Sequence, residues 1–564
     1  MSDFAFLRHF KLRRDHAVAA TGRGGGRSYR SVTAATLAIV LSALAGGVFG
    51  HSALATEDRI PDHYKTFTAA LSAIQSNYAE QLPSDRLVYG AINGMLQTLD
   101  PHSSFMDPRS YAQMRERQEG RYYGLGLSIV VVDGDVTVVR VFEGSPAYGK
   151  GIRRGDVIAR IESDDAKGWT TDQAVRRLKG PKGTFVKIGV RRKGLDDLIP
   201  MEVMRDEITI PAVAAHFMID KEIGYVRIDD FAEHTEQELE SALEDMQRKG
   251  MKKLVLDLRN NPGGQLDQAI RMVNLFVKRG SMIVYTRGRV ANADQDYRAT
   301  EDGTFQRIPM LVMVNRQSAS ASEIVSGALQ DHDRALVVGE TTFGKALVQS
   351  VYRVSQGAGL ALTTARYFTP SGRMIQRPWD ESFDEYATYA YRSQGQRAYT
   401  AEQLKYTAGG RKVYSGGGID PDHRFDGPVE GFNPTPFGRS LYTRQLFAAY
   451  AEQFSAEGDT RAGAQGKNRK VVKPGFAVDD AMVQDFQQFV AGRKLPIDDA
   501  AWTKDKNFIR AMIRYEIDVA LFNAATARQH LVADDPQAQF ALTLFPEAEK
   551  LLELARTTTA RVGQ

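Results

Sequence analysis

Apolar residues follow different rhythms along the 564-residue chain. Between 60 and 118 they recur three and four apart, as at Tyr64, Phe67, Ala70, Leu71, Ile74 and Tyr78, the spacing of a helix face. Asp100-Pro101 and Asp107-Pro108 punctuate the end of this stretch. From 119 to about 207 the runs become short and β-like. Ile129, Val130 and Val131, then Val136, Val138 and Val139, flank Asp133-Gly134, a hairpin turn signal. A second β-rich stretch begins at Ile208. Tyr225-Val-Arg-Ile alternates, a helix is expected from about Thr235 to Arg248 with Glu238 completing a capping box, and Leu254-Val-Leu-Asp-Leu has the pattern of a buried strand. Strand and helix alternate to about 370, the sign of an α/β layer. Residues 379–412 are polar, Tyr-rich and loop-like. After 435 the chain is helical again, with Ile509, Met512, Ile513, Ile517, Ala520 and Leu521 on one stripe and Lys467 to Lys473 as a solvated basic linker. No internal repeat is evident.

One longer apolar run stands apart, Val32 to Gly50, without a charged residue and about long enough to span a bilayer. Seven basic residues precede it against Asp3 and Asp15, and Glu57, Asp58 and Asp62 follow it. That asymmetry orients residues 1–31 as a cytoplasmic arm. Ala53-Leu54-Ala55 offers the small residues that signal peptidase accepts. Residues 32–55 are therefore a cleaved export signal or a retained anchor, and the chain beyond about 56 is expected outside the cytoplasm, in the periplasm or on the outer side of the inner membrane.

The net charge of +4 is concentrated in that arm, which argues against a nucleic-acid-binding body. With 43% hydrophobic and 25% charged residues the chain is neither disordered nor fibrous, and a single long apolar run excludes a polytopic membrane protein. The absence of cysteine excludes thiol nucleophiles, thiolate metal sites and disulfides.

Candidate chemistry lies between Leu311 and Gln349. The buried strand Leu311 to Val314 runs into a turn of alternating Ser and Ala, then a helix from about Ser322. Such a turn exposes a side chain beside free backbone N–H groups, so Ser320 suits a nucleophile. It equally suits an N-cap, with Glu323 three residues on. Lys345, in Thr342-Phe-Gly-Lys, is flanked by apolar residues and glycine. It is either a snorkelling surface residue or a desolvated amine. To act as a base near neutrality its pKa must fall from ~10.4 by roughly three units, about 4 kcal/mol. Gln349 can orient that amine without adding charge. Pro262-Gly263-Gly264 follows the strand at 254–258, and one of its glycine N–H groups paired with that of Ala321 would complete an oxyanion hole.

Taken together these stretches resemble the carboxyl-terminal processing (tail-specific) proteases, serine peptidases with a Ser-Lys dyad and an embedded PDZ domain. The resemblance rests on Gly224-Tyr-Val-Arg-Ile, Leu256-Asp-Leu-Arg-Asn-Asn-Pro-Gly-Gly, Ser318-Ala-Ser-Ala-Ser-Glu-Ile, Thr342-Phe-Gly-Lys, the segment from Leu362 to Arg373, and Gly418-Ile-Asp-Pro-Asp, in the family's order over about 60–425. It implies Ser320 as nucleophile, Lys345 as general base and Gln349 as its support, with a structural role for Asp331. Where the family usually has Gly after the dyad Lys, this chain has Ala346.

For 119–207 the PDZ reading makes Gly124-Leu125-Gly126-Leu127 the loop that receives a terminal carboxylate, with Thr171 to Leu178 as the helix beside the groove. Gly144-Ser-Pro-Ala and Gly151-Ile-Arg-Arg-Gly-Asp-Val-Ile fit the interior of such a domain. His332 beside Asp331 is the rival base for a triad, and His102 in Asp-Pro-His-Ser-Ser reads as a loop residue. No zinc helix, nucleophile elbow motif, P-loop or dinucleotide fingerprint is present, so neither metal nor cofactor is implied.

The expected architecture is multidomain α/β: helices at 56–118, a β-rich PDZ domain at 119–207, a layered α/β peptidase core of the crotonase or ClpP kind at 208–425 with an insertion at 379–412, and a helical extension at 426–564. The expected activity is that of an exported serine endopeptidase capturing protein C-termini. The alternative is a non-catalytic PDZ scaffold on a peptidase-like core. Protein or peptide tails are the expected partners, with the membrane added if the N-terminal segment is uncleaved, and homo-oligomer formation is left open.

Overall fold

The computed structural model describes residues 60–379, 383–391, 398–427, 434–457, 472–493 and 495–562. The basic arm, the signal or anchor segment at 32–55 and most of the 467–473 linker lie outside them. No helix among the described residues is long and apolar enough to cross a membrane. The chain divides into two compact units, Met1–Gly90 and Ala91–Gln564. The first holds the helix Ile60–Asn77 and the start of the helix Ser84–Gln97, joined by a 3.0 Å hydrogen bond from Gln75 to Ser84.

Within the second unit, the 119–207 region forms an antiparallel sheet in the order Leu127–Val132, Asp135–Val141, Val157–Ile161, Phe185–Arg191, Ile199–Met204. Asp133 and Gly134 both have positive φ (51° and 80°), as a tight two-residue hairpin turn requires. The helix Thr171–Leu178 starts at Thr170, whose side chain and that of Gln173 form a reciprocal capping box. Its Ala174 and Leu178 join Val138, Ile158 and Ile188 in the local core. Strands Arg121–Gly124 and Asp206–Thr209 pair antiparallel and close the region at its base.

The α/β core is a six-stranded sheet in the order Val213–Met218, Ile223–Ile228, Lys253–Asp257, Met310–Val314, Leu336–Gly339, His423–Arg424. The first pair is antiparallel and the other four pairings are parallel. Helices Thr235–Arg248, Leu266–Asn274 and Ala321–Asp331 bury Leu243, Met272 and Val325 against one face. The other face, with Val255, Leu311 and Val338, is covered by Val532, Ala541 and Phe545 from helices Ala524–Asp534, Pro536–Leu542 and Phe545–Val562. Burial on both faces is why these strands are continuous apolar runs. Each large apolar side chain so buried stabilises the fold by roughly 1.5–3 kcal/mol. The end of the C-terminal helical region thus completes the core, while helices from Pro436 to Leu521 form a bundle around Phe447, Phe486, Ile509, Ile513 and Ile517. Ala520, expected on that stripe, is exposed.

A second sheet joins Ser104–Met106, Gly359–Phe368, Met282–Gly288 and Gln295–Arg298, with Leu347–Arg353 also paired to Gly359–Phe368. Two local expectations change. The helix at 235 begins one residue after His234, and Glu238 accepts the Val213 N–H at 2.9 Å instead of capping its own helix. The 379–412 stretch, expected as loop, contains the helix Phe383–Thr388 and a small hairpin of Leu404–Tyr406 with Lys412–Tyr414. Its Tyr386 and Tyr389 are buried, which a polar composition does not announce.

Candidate active site

Two adjacent parallel strands, Lys253–Asp257 and Met310–Val314, deliver their turns to the same edge of the sheet. In open α/β sheets the carboxyl ends of parallel strands are where ligand groups converge. Asn261 stitches the two turns: its carbonyl accepts the Ala319 N–H and the Ser322 hydroxyl, both at 3.0 Å, and its amide donates to Ile228 O at 2.9 Å. Gly263 lies against the second turn with φ +95°, and a Cβ there would come within 2.7 Å of Ala319 O and 2.8 Å of Ala321 N. Glycine is therefore required by space as well as by conformation. The Gly263 N–H is taken by Asn261 Oδ1 at 2.9 Å. The N–H groups of Gly264 and Ala321 have no hydrogen-bond partner among the described residues. Of the two glycines, Gly264 is the one with a donor to spare.

Ser320 sits where strand gives way to helix, with φ 55° and ψ −113°. A non-glycine residue in that region costs of order 1–3 kcal/mol and persists only where its surroundings fix it. Its N–H donates to Glu323 Oε2 at 2.8 Å, the glutamate half of the capping box expected there. The side chain is half-buried and lines a cleft of about 480 Å³ together with Gly263, Gly264, Ala321, Lys345 and Gln349. All six candidates from the core sequence thus meet in one place.

Lys345 precedes the strand Leu347–Arg353. Its amine has no hydrogen bond or ion pair among the described residues. Burial lowers its pKa below the ordinary lysine value, against the opposing pull of the Glu323 and Asp100 carboxylates. Ala346 occupies its place without strain: its N–H donates to Gln376 Oε1 at 2.8 Å and its carbonyl accepts the Tyr367 N–H at 2.9 Å. A bulge between Val348 and Gln349 re-aims the strand, and Gln349 Nε2 donates to Thr363 Oγ1 at 3.4 Å instead of meeting Lys345.

Several groups around the amine carry no local signal in the sequence. Asp100 accepts the N–H groups of His102 and Ser103 at 2.8 and 2.9 Å and the Thr363 hydroxyl at 3.1 Å. His102, expected as a plain loop residue, bonds through Nε2 to the Tyr386 hydroxyl. Burial first, then the nearby charge of Lys345, lowers its pKa to about 4. Glu323 is fully buried and its pKa is raised to about 7 by burial, against hydrogen bonds from Thr342 and from the N–H groups of Lys345, Ser320 and Gly344. His332 is not a rival base here. Its Nε2 bonds to Met282 O at 2.6 Å, and it lines a different cavity with Asp333 and Arg334. Asp331 has the structural role expected of it, paired with the buried Arg373 and accepting Ser371 N–H and Oγ at 2.9 and 2.7 Å.

In the 119–207 region, Leu127–Val132 stands at the end of the sheet order, so its outer edge is unpaired among the described residues, and the helix Thr171–Leu178 lies beside it. Gly124, Leu125 and Gly126 are buried and Leu127 is half-buried at the mouth of this groove. A Cβ on Gly126, at φ +83°, would lie 2.2 Å from Ser145 Cβ. The Tyr122 hydroxyl lies near the N–H groups of Leu127 and Gly126, which pull its pKa down while burial raises it more. Lys179, paired with Glu116, sits 4.6 Å above the Tyr122 ring.

Fold and site define a serine-type peptidase carrying a PDZ domain. Peptidase family S41 matches residues 222–379, the PDZ domain matches 113–191, and the N-terminal domain of the activating protease CtpB matches 48–110. The carboxy-terminal-processing protease of Bartonella bacilliformis is 39% identical over 54% of this chain and 70% of its own. Carboxy-terminal processing protease CtpA of Bacillus subtilis is 34% identical over 60% of this chain and 73% of its own. Among solved structures, the photosystem II D1 C-terminal processing protease is 27% identical, covering 64% of this chain and 92% of that one with a TM-score of 0.33. The chain belongs to the carboxy-terminal processing proteases of family S41.

Proposed function

We propose that this protease is an exported endopeptidase that captures protein C-terminal tails in its PDZ groove and cleaves them with a Ser320–Lys345 dyad. The observation that carries the reading is a half-buried lysine with no ion pair among the described residues, in the same cleft as a serine held in a strained strand-to-helix turn. The Lys345 lone pair takes the proton of Ser320 Oγ as that oxygen attacks the scissile carbonyl carbon. The negative charge that develops on the carbonyl oxygen is met by the free N–H groups of Gly264 and Ala321. The C–N bond then breaks, the Lys345 ammonium returns the proton to the departing amine, and an ester on Ser320 remains. Water repeats the sequence and releases the acid.

Gln349 keeps its carbonyl oxygen for the Lys345 ammonium while its amide is held by Thr363. In the PDZ groove a tail adds as a strand to the open edge at Leu127–Val132, its carboxylate displacing the Tyr122 hydroxyl from the Gly126 and Leu127 N–H groups. The basic arm and the apolar run at 32–50 support export to the periplasm or the outer side of the inner membrane. N-terminal sequencing of the mature protein decides between cleavage and anchoring.

Ser320→Ala and Lys345→Ala are each expected to abolish turnover of a tail-bearing substrate, read by mass spectrometry of the fragments. Wild-type turnover in either variant would contradict the dyad. Tail peptides are expected to bind both variants as they bind the parent.

A further inference from the structure

Ser320 and Lys345 stand on separate turns, and among the described residues no side-chain hydrogen bond joins them directly. Two other side chains tie their backbones. Glu323 Oε2 accepts the N–H of Ser320 at 2.8 Å and that of Lys345 at 2.9 Å. Its Oε1 accepts the Gly344 N–H at 2.7 Å and the Thr342 hydroxyl. On the carbonyl side, the Tyr367 hydroxyl lies 2.6 Å from Lys345 O and 3.2 Å from Ser320 O. Both side chains are essentially without solvent exposure.

We infer that Glu323 and Tyr367 are positioning residues that fix the Ser320 hydroxyl relative to the Lys345 amine, one clasping both N–H groups and the other both carbonyls. The inference rests on the dyad proposed above. A strained residue such as Ser320 is held only by what over-determines it. Here its N–H and C=O are both captured by groups that hold the lysine turn as well. A clasp of this kind acts on alignment, where an error near 1 Å can cost on the order of 100-fold in rate. It does not act on tail binding, whose groove is built from other residues.

The charge of Glu323 adds a signature that mere support of the fold does not have. The groups facing the Lys345 amine are the Glu323 and Asp100 carboxylates and the His102 imidazole. Glu323 favours the ammonium. Glu323→Gln keeps the shape, removes that charge and puts an NH2 donor where one of the two oxygens accepted N–H groups, so the clasp is weakened on one side. Because the Glu323 carboxyl is ionised above its raised pKa of about 7, the acid limb of kcat is then expected to move to lower pH where it lies in that range, as the amine sheds its proton more readily, while the plateau falls roughly 10- to 100-fold. Tyr367→Phe removes no charge, so its plateau is expected to fall about tenfold with the acid limb unmoved. KM and tail affinity are expected to stay within about twofold in both.

The experiment is a pH–kcat profile on a tail-bearing peptide for the full chain, the two clasp variants, Ser320→Ala and Lys345→Ala, with melting temperatures and tail affinity recorded alongside. Turnover surviving in Ser320→Ala or Lys345→Ala overturns the dyad, and the clasp with it. If those two are inactive while Glu323→Gln and Tyr367→Phe keep the parent plateau, the clasp alone is overturned. Equal losses in kcat, tail affinity and melting temperature also overturn it, since they mark general unfolding. Should Glu323→Gln not fold, the plateau, KM and melting temperature of Tyr367→Phe decide.

Discussion

Gly263 in the peptidase core and Gly126 in the PDZ domain both sit where a Cβ has no room, yet their neighbours differ in kind. Around Gly263 the close atoms are the backbone Ala319 O and Ala321 N and the Cβ of Ser320, whose place the backbone sets, in turns stitched by Asn261. Around Gly126 the close atoms belong to the Ser145 side chain, and the N–H groups nearby face the phenol of half-buried Tyr122. Backbone held by backbone keeps one geometry. A side chain laid over open N–H groups can swing away and leave them to a ligand. On the function proposed above, the turns of the chemical site are fixed before substrate arrives, and the recognition site is covered until it does.

The sharpest way to break this contrast is Gly263→Ala. The added methyl meets backbone that cannot give, so turnover is expected to fall by at least about 100-fold, while Gly126→Ala leaves the cleavage of short tail-less peptides near the parent rate. Comparable losses of short-peptide cleavage in both would erase the distinction. Next in size is the proton. In the proposed dyad Lys345 works only when neutral, so kcat is expected to fall as pH drops through its pKa, with the limb displaced below the ordinary lysine range because burial lowers that pKa. Lys345→Arg, which stays charged, should be inactive at every pH.

Smaller is the effect of Tyr122→Phe. Without the hydroxyl there is nothing polar to displace, and tail peptides should bind about fivefold tighter, equivalent to ~1 kcal/mol for one neutral hydrogen bond. Unchanged or weaker binding by isothermal titration would mean that the phenol is no cover. Smallest is Thr170→Ala, which removes the cap of the groove helix. It should cost about 1 kcal/mol of stability, seen in denaturant unfolding of the variant, with Ser320 chemistry untouched.

What the sequence disclosed and what it hid follow from range. The Asp133-Gly134 hairpin, the Thr171–Leu178 helix and the strand Met310–Val314 each follow from neighbours a few residues apart, through turn chemistry or apolar rhythm. The six core candidates could be picked because their turns are locally unusual. Asp100 and His102 could not, since only the pairing of Ser104–Met106 with Gly359–Ala361 carries them to Lys345. Glu323 was visible as half of a capping box, but its reach to the Gly344 and Lys345 N–H groups depends on how two turns pack. Glu238 shows the converse, a capping pattern whose carboxylate is drawn to Val213 on a neighbouring strand. The last helices looked like an appendage because nothing in their own apolar stripe says that its partners are Val255, Leu311 and Val338 on strands far earlier in the chain.

The most direct test of the dyad is intact-mass analysis of enzyme quenched in acid during turnover of a tail-bearing peptide. An ester of the N-terminal fragment on Ser320 is predicted, absent in Ser320→Ala and not formed by Lys345→Ala. An adduct on another residue, or an ester that still forms on Ser320 at the parent rate once the lysine amine is gone, would contradict the account.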